Sequence, residues 1–86
     1  MTTKEQKTNA RTLKDIANEI AADWKKPHFG AVPYLDAMKT LDSINDNYFF
    51  DSGKSIVLYF LANAGTWKGE TARRIKKELK QLANIK

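Results

Sequence analysis

Cysteine is absent from this sequence, which excludes a disulfide framework and any thiolate metal site. The absence fits a reducing compartment. Long apolar runs are missing too. The longest, Ile56 to Ala62, is seven residues, against the roughly 20 that a membrane-spanning helix needs. The opening stretch MTTKEQKTNAR has no apolar core of the kind a secretory signal carries. Together these absences predict a soluble, cytoplasmic protein with no membrane partner. A second strand-like pattern is also lacking, so a lone strand in this chain would find nothing to pair with.

What is present is ordinary globular composition: 42% hydrophobic and 29% charged residues in a chain of 86. That is one domain, near the small end of what folds alone. Residues 1–8 are polar and unpatterned and read as a flexible tail; residues 9–86 read as a single helical domain. The net charge of +5 is unevenly placed. Up to Gly65 there are eight Lys or Arg and eight Asp or Glu; beyond it there are seven bases and only two acids, Glu70 and Glu78. The entire excess therefore lies in the last quarter of the chain, a bias that points to an anionic partner.

Apolar residues at 13, 16, 17, 20, 21 and 24 advance in steps of three and one, which predicts an amphipathic helix. Thr8 or Asn9 would cap it, and Lys25-Lys26-Pro27 would end it. Pro33 suits the first turn of a short second helix reaching Leu41. Tyr48, Phe49 and Phe50 lie in a turn-rich segment and are expected to fold back onto the core. The stretch DSGKSIVLYFLANAG has β-propensity, yet its helical spacing, a cap at Asp51 or Ser52 and Gly65 at the end favour a central helix. A last helix starts after Thr66, or at Glu70 if Gly69 delays it, and runs to about Asn84. The expected fold is all-α, a compact bundle of three longer helices and one short helix.

Catalytic chemistry has little to work with. His28, the single histidine, sits between Pro27 and Phe29 with no evident partner and reads as an ordinary loop residue. Asp36, Asp42, Asp46 and Asp51 match no calcium-loop spacing; they read as helix-surface, turn and cap residues. Gly53-Lys54-Ser55 ends like a phosphate loop, but the glycine required five residues earlier is Tyr48, and no βαβ unit surrounds it. Ser55 has neither a base nor an elbow motif. No enzyme, metal or cofactor is expected.

The principal candidate site is the last helix. At 100° per residue, Arg73, Lys76, Lys77 and Lys80 fall in one sector beside the apolar stripe Ala72, Ile75, Leu79, Leu82 and Ala83, while Arg74, Glu70 and Glu78 fall elsewhere. Such a row suits successive phosphates of a nucleic acid or an acidic protein. Lys68 and Trp67 at the helix start would add a charge and an aromatic platform, although Trp67 by itself reads better as a core anchor. IVLYFLANAGTWKGETARRIKKEL also has the outline of a helix-turn-helix, but its turn is long, and a plain helical hairpin is the better reading. Residues 72, 75, 79, 82 and 86 show heptad spacing over two heptads, too short to define a coiled coil, which leaves a homodimer open. In the alternative reading the protein is a protein–protein interaction or self-associating factor anchored by exposed aromatics among Tyr34, Phe49, Phe50 and Trp67.

PYLDAM and the block DNYFFDSGKSIVLYFLANAGTWKGETARRIKKELK resemble a group of small helical proteins encoded in bacteriophage and prophage genomes, over about residues 12–80. The group carries no established activity, so no residue inherits a role from it. The resemblance implies a setting, action inside a bacterial host cell on a phage or host macromolecule.

Overall fold

The structure is a computed structural model that describes residues 11–84. The expected tail, and the expected caps Thr8 and Asn9, lie outside the described residues. The described residues form four helices: α1 (Leu13–Asp23), α2 (Val32–Met38), α3 (Gly53–Ala62) and α4 (Glu70–Leu82). Between α2 and α3 lies a small hairpin of β1 (Asn47–Tyr48) and β2 (Asp51–Ser52). The described chain is mostly helical, and no helix in it is long and apolar enough to cross a membrane.

Helix α1 buries Leu13, Ile16, Ala17 and Ile20, the face that its spacing marks. Thr12 caps it, with Oγ1 accepting from the Asp15 N–H at 3.0 Å. The helix stops at Asp23, and Trp24 turns inward to the core. Helix α2 carries Pro33 in its first turn but ends at Met38, short of the expected Leu41. There the Thr40 hydroxyl donates to the Ala37 carbonyl at 2.7 Å. Leu41 is still buried, but its carbonyl and that of Asp42 accept from Lys14 and Leu13, which pins this segment to the start of α1.

The hairpin is the main departure from the sequence reading. Asn47 pairs with Ser52 and Tyr48 with Asp51, leaving Phe49-Phe50 as a two-residue loop. Tyr48 packs on the core as expected. Phe49 and Phe50 do not: they are 82% and 105% exposed. A two-residue loop joining antiparallel strands points its central side chains outward, away from the surface that Tyr48 covers. The hairpin leads directly into α3, which Ser52 caps by accepting from the Ser55 N–H at 3.1 Å. Gly53 is needed here, because a Cβ would come within 2.7 Å of the Ile44 carbonyl oxygen. Gly65 does not adopt the expected left-handed cap; Asn63 ends α3 instead. Gly69 is the glycine with positive φ, at +112°, and it sets the start of α4 at Glu70.

Helices α1 and α4 run antiparallel. Trp67, just before α4, bonds Asp23 at the end of α1 through Nε1 at 2.8 Å. Glu78, well along α4, meets Arg11 before the start of α1. The core at the α3–α4 turn is aromatic: Trp24 stacks on Trp67 with centroids 5.7 Å apart, and Phe60 presents its edge to both rings. Offset or edge contacts of this kind add to the area that the rings bury.

Candidate anion-binding flank of the last helix

Helix α4 buries Ala72, Ile75 and Leu79 against the rest of the fold. This stripe divides the helix surface into two flanks, one with its charges paired and one with unpaired cations. On the flank toward α1, the Arg11 guanidinium donates to both Glu78 carboxylate oxygens, at 2.6 and 3.1 Å, and to Glu19 Oε1 at 2.6 Å. Arg74 closes the chain of charges by donating to the other Glu19 oxygen. The Arg74 and then the Arg11 hydrogen bond hold the Glu19 carboxyl below its usual range. Hydrogen bonding to Glu78 raises the Arg11 guanidinium further. Two cations and two carboxylates thus neutralise one another, and Arg74 is committed to the fold.

The opposite flank carries Lys68, Arg73, Lys76, Lys77 and Lys80. Lys68, Arg73, Lys77 and Lys80 are exposed. Among the described residues no carboxylate comes within ion-pair distance of any of the five. Lys76 is different: Nζ donates to the Trp67 carbonyl at 2.7 Å and lies 5.9 Å from the Trp67 ring centroid. Burial, then the charges of Lys68 and Lys80, push its ammonium below the ordinary lysine value. Lys76 therefore belongs partly to the fold and is not a freely projecting member of the row. A shallow cup of about 220 Å³ is lined by Trp67, Lys68, Gly69, Ala72, Arg73 and Lys76.

Trp67 does not serve as an external platform. It is 2% exposed, held between Trp24 and Phe60 and tied to Asp23, so its faces are not available to a nucleobase. Its contribution to the flank is its carbonyl, which fixes Lys76. The other chemistry-bearing residues fall into local structural roles. His28 Nδ1 accepts from the Gly30 N–H at 3.0 Å and the ring stacks on Phe29. The Asp46 carboxylate accepts from the N–H groups of Asp42 and Ser43, and Asp36 faces Lys39 on the α2 surface. Gly53-Lys54-Ser55 forms the first turn of α3. The seven-residue connection from Asn63 to Gly69 exceeds the three or four residues usual in a helix-turn-helix.

Sequence reasoning did not identify the Arg11–Glu19–Glu78–Arg74 network, whose members lie up to 67 residues apart. Nor did it single out the exposed Phe29 and Tyr59. Comparison with family models, with curated proteins and with solved structures finds no match to this chain.

Proposed function

We propose that this protein is a non-enzymatic binding module, a bundle of three longer helices and one short helix that engages an anionic partner through the free flank of α4. Lys68, Arg73, Lys77 and Lys80 supply the mobile charge, and Lys76 contributes a fixed one. The observation that carries this reading is the segregation of charge on one helix. Carboxylates pair with the cations of the α1 side, and among the described residues none forms an ion pair on the other, where Glu70 lies near Arg73 and Lys77 without pairing with either. Cations along one helix side can contact successive backbone phosphates and release their counterions, so binding should weaken steeply with salt. A nucleic acid is the partner favoured by this chemistry, with an acidic protein surface as the other outcome of the test. The phage-like resemblance would place that encounter in the cytoplasm of a bacterial host cell.

Fluorescence anisotropy of labelled single- and double-stranded DNA and RNA tests the reading at low and physiological salt. Steeply salt-dependent binding that disappears in Arg73→Glu/Lys77→Glu/Lys80→Glu supports it. No binding at low salt removes nucleic acid as the partner.

A second reading has its own observation. Phe29, Phe49, Phe50 and Tyr59 are 83%, 82%, 105% and 47% exposed. Aromatic side chains of this kind anchor protein–protein contacts. Trp67, buried, drops out of this set, and Tyr34, half-buried against Tyr59, is a weaker anchor than the Phe pair. The test is specific capture of a host protein that Phe49→Ser/Phe50→Ser abolishes.

A further inference from the structure

The hairpin tip is the least expected piece of this molecule. A two-residue hairpin loop with positive φ at its first central position favours glycine there, as in a type II′ turn. This chain puts phenylalanine at that place: Phe49 has φ +57°, a genuine outlier for a bulky residue. The second position is also phenylalanine, fully exposed. The tip is not a loose end. Tyr48 anchors it to the core, Asp46 holds the preceding turn, and the Gly53 N–H bonds the Asp46 carbonyl. A backbone conformation disfavoured by its own side chain, set on an anchored hairpin and exposed to solvent, is where function is to be sought.

Charge around the tip narrows the occupant. From Asp42 to Lys54 the chain has three aspartates, Asp42, Asp46 and Asp51, and one lysine. This acidic segment disfavours an anionic membrane or a nucleic acid strand and calls for a recess rimmed by cations. The molecule displays such a recess itself, the cup lined by Lys68, Arg73 and Lys76 together with Gly69, Ala72 and Trp67. An aromatic ring there would also lie against cationic side chains, a favourable contact. Tip and cup lie at opposite ends of α1. The segment before the hairpin is bonded to Leu13 and Lys14, whereas Trp67 is bonded to Asp23. No copy can therefore fill its own cup.

We infer that the Phe49–Phe50 tip of one copy docks head to tail into the cationic cup at the start of α4 of a second copy. The inference rests on the second reading above, that the exposed aromatics are contact residues, and it names their partner. Because the two halves are different surfaces, the contact is heterologous and does not close on itself, so assembly is open-ended. The contact is small, which makes it weak and transient.

Sedimentation velocity of the full chain, from about 10 µM to about 500 µM at low and high salt, tests it. At low salt the average mass should rise at least about twofold with concentration, and high salt should abolish the rise. Phe49→Ser/Phe50→Ser and Lys68→Glu/Arg73→Glu should each be monomeric with unchanged helical circular dichroism. Mixed, they should form a one-to-one dimer and nothing larger, because each retains one intact half. A wild type that is monomeric throughout overturns the inference, as does a mixture of the two folded variants that stays monomeric. Loss of host-protein capture by the tip variant, with a monomeric wild type, would overturn only the second copy as partner and leave the second reading standing.

Discussion

The two flanks of α4 carry the same kinds of residue and put them to opposite uses. Toward α1, Arg74 and Glu78 are consumed in a four-member network with Arg11 and Glu19. On the far side, Lys68, Arg73, Lys77 and Lys80 have no carboxylate partner among the described residues. Sequence proximity does not separate them, since Arg73 and Arg74 are adjacent. What separates them is 100° of rotation and the presence of α1 on one side only. The helix is thus cemented on one flank and left chargeable on the other, and counting its seven basic neighbours would overstate the surface available to a partner.

The largest effect concerns the seat that both flanks depend on. Trp67→Ala removes an indole packed on Trp24 and Phe60, and with it the hydrogen bond to Asp23. A cost of about 3–5 kcal/mol is expected from the lost packing. Chemical denaturation should show it as a lower midpoint, and a loss below about 1 kcal/mol would contradict the placement of Trp67 as a core anchor. Next comes the free flank. Arg73→Glu/Lys77→Glu/Lys80→Glu should lower oligonucleotide affinity at least about 100-fold at low salt and reduce the salt slope by about 3. Stability should change little, because these side chains make no hydrogen bond or ion pair among the described residues. Equal loss of affinity from Arg74→Glu, once stability is matched, would erase the distinction between the flanks.

Much of this division was legible in the sequence, for a physical reason. Helical rotation is fixed, so the residues that share a sector follow from spacing alone, and Arg74 and Glu78 fall outside the basic row before any tertiary contact is known. Trp67 was expected in the core and lies there, but the fate of Lys76 was not legible in the same way. It depends on a carbonyl presented by the turn that Gly69 makes, and no periodicity encodes that. The hairpin escaped for a different reason. Strands of two residues offer no alternation to read, and a loop made of Phe-Phe lacks the Asn-Gly signal that marks such turns. Its existence is a closure effect, set by the Asp46-to-Gly53 bond and by Tyr48 on the core. By contrast the α1 stripe, continuous over three turns, predicted the buried Leu13, Ile16, Ala17 and Ile20 and the inward Trp24, and missed only at Ala21, which is half-buried.

The cemented flank should reveal itself through acid. Glu19 sits below the ordinary carboxyl value of 4.5 because Arg74 and Arg11 donate to it. A depressed folded-state value means stability that is present above the unfolded value and is lost as pH falls through the folded one. Glu19→Gln should therefore cost about 1 kcal/mol at pH 7, the modest scale of a half-exposed network. Wild type and variant should converge as pH drops below 4.5. Oligonucleotide affinity at neutral pH should be unchanged or slightly higher, since the substitution removes a negative charge from the far side of the helix. A pH-independent gap between the two proteins would mean that Glu19 acts through packing and not through its charge.

The smallest effect isolates the one cation that belongs to both regions. Lys76→Met keeps the length of the side chain but deletes the ammonium that bonds the Trp67 carbonyl. Burial and the neighbouring Lys68 and Lys80 already disfavour its charged form, so the folded state gives up part of the stabilisation that this hydrogen bond supplies. The two contributions oppose each other, and the net stability change should stay within about 1 kcal/mol. Binding discriminates better. Lys77→Met removes an equal charge from an exposed side chain with no partner among the described residues, so it should weaken oligonucleotide binding more than Lys76→Met does. Tryptophan emission should shift in Lys76→Met alone, because only that ammonium lies over the Trp67 ring. If the two variants lose affinity equally and neither changes the emission, Lys76 projects like its neighbours and the free flank gains a fifth independent charge.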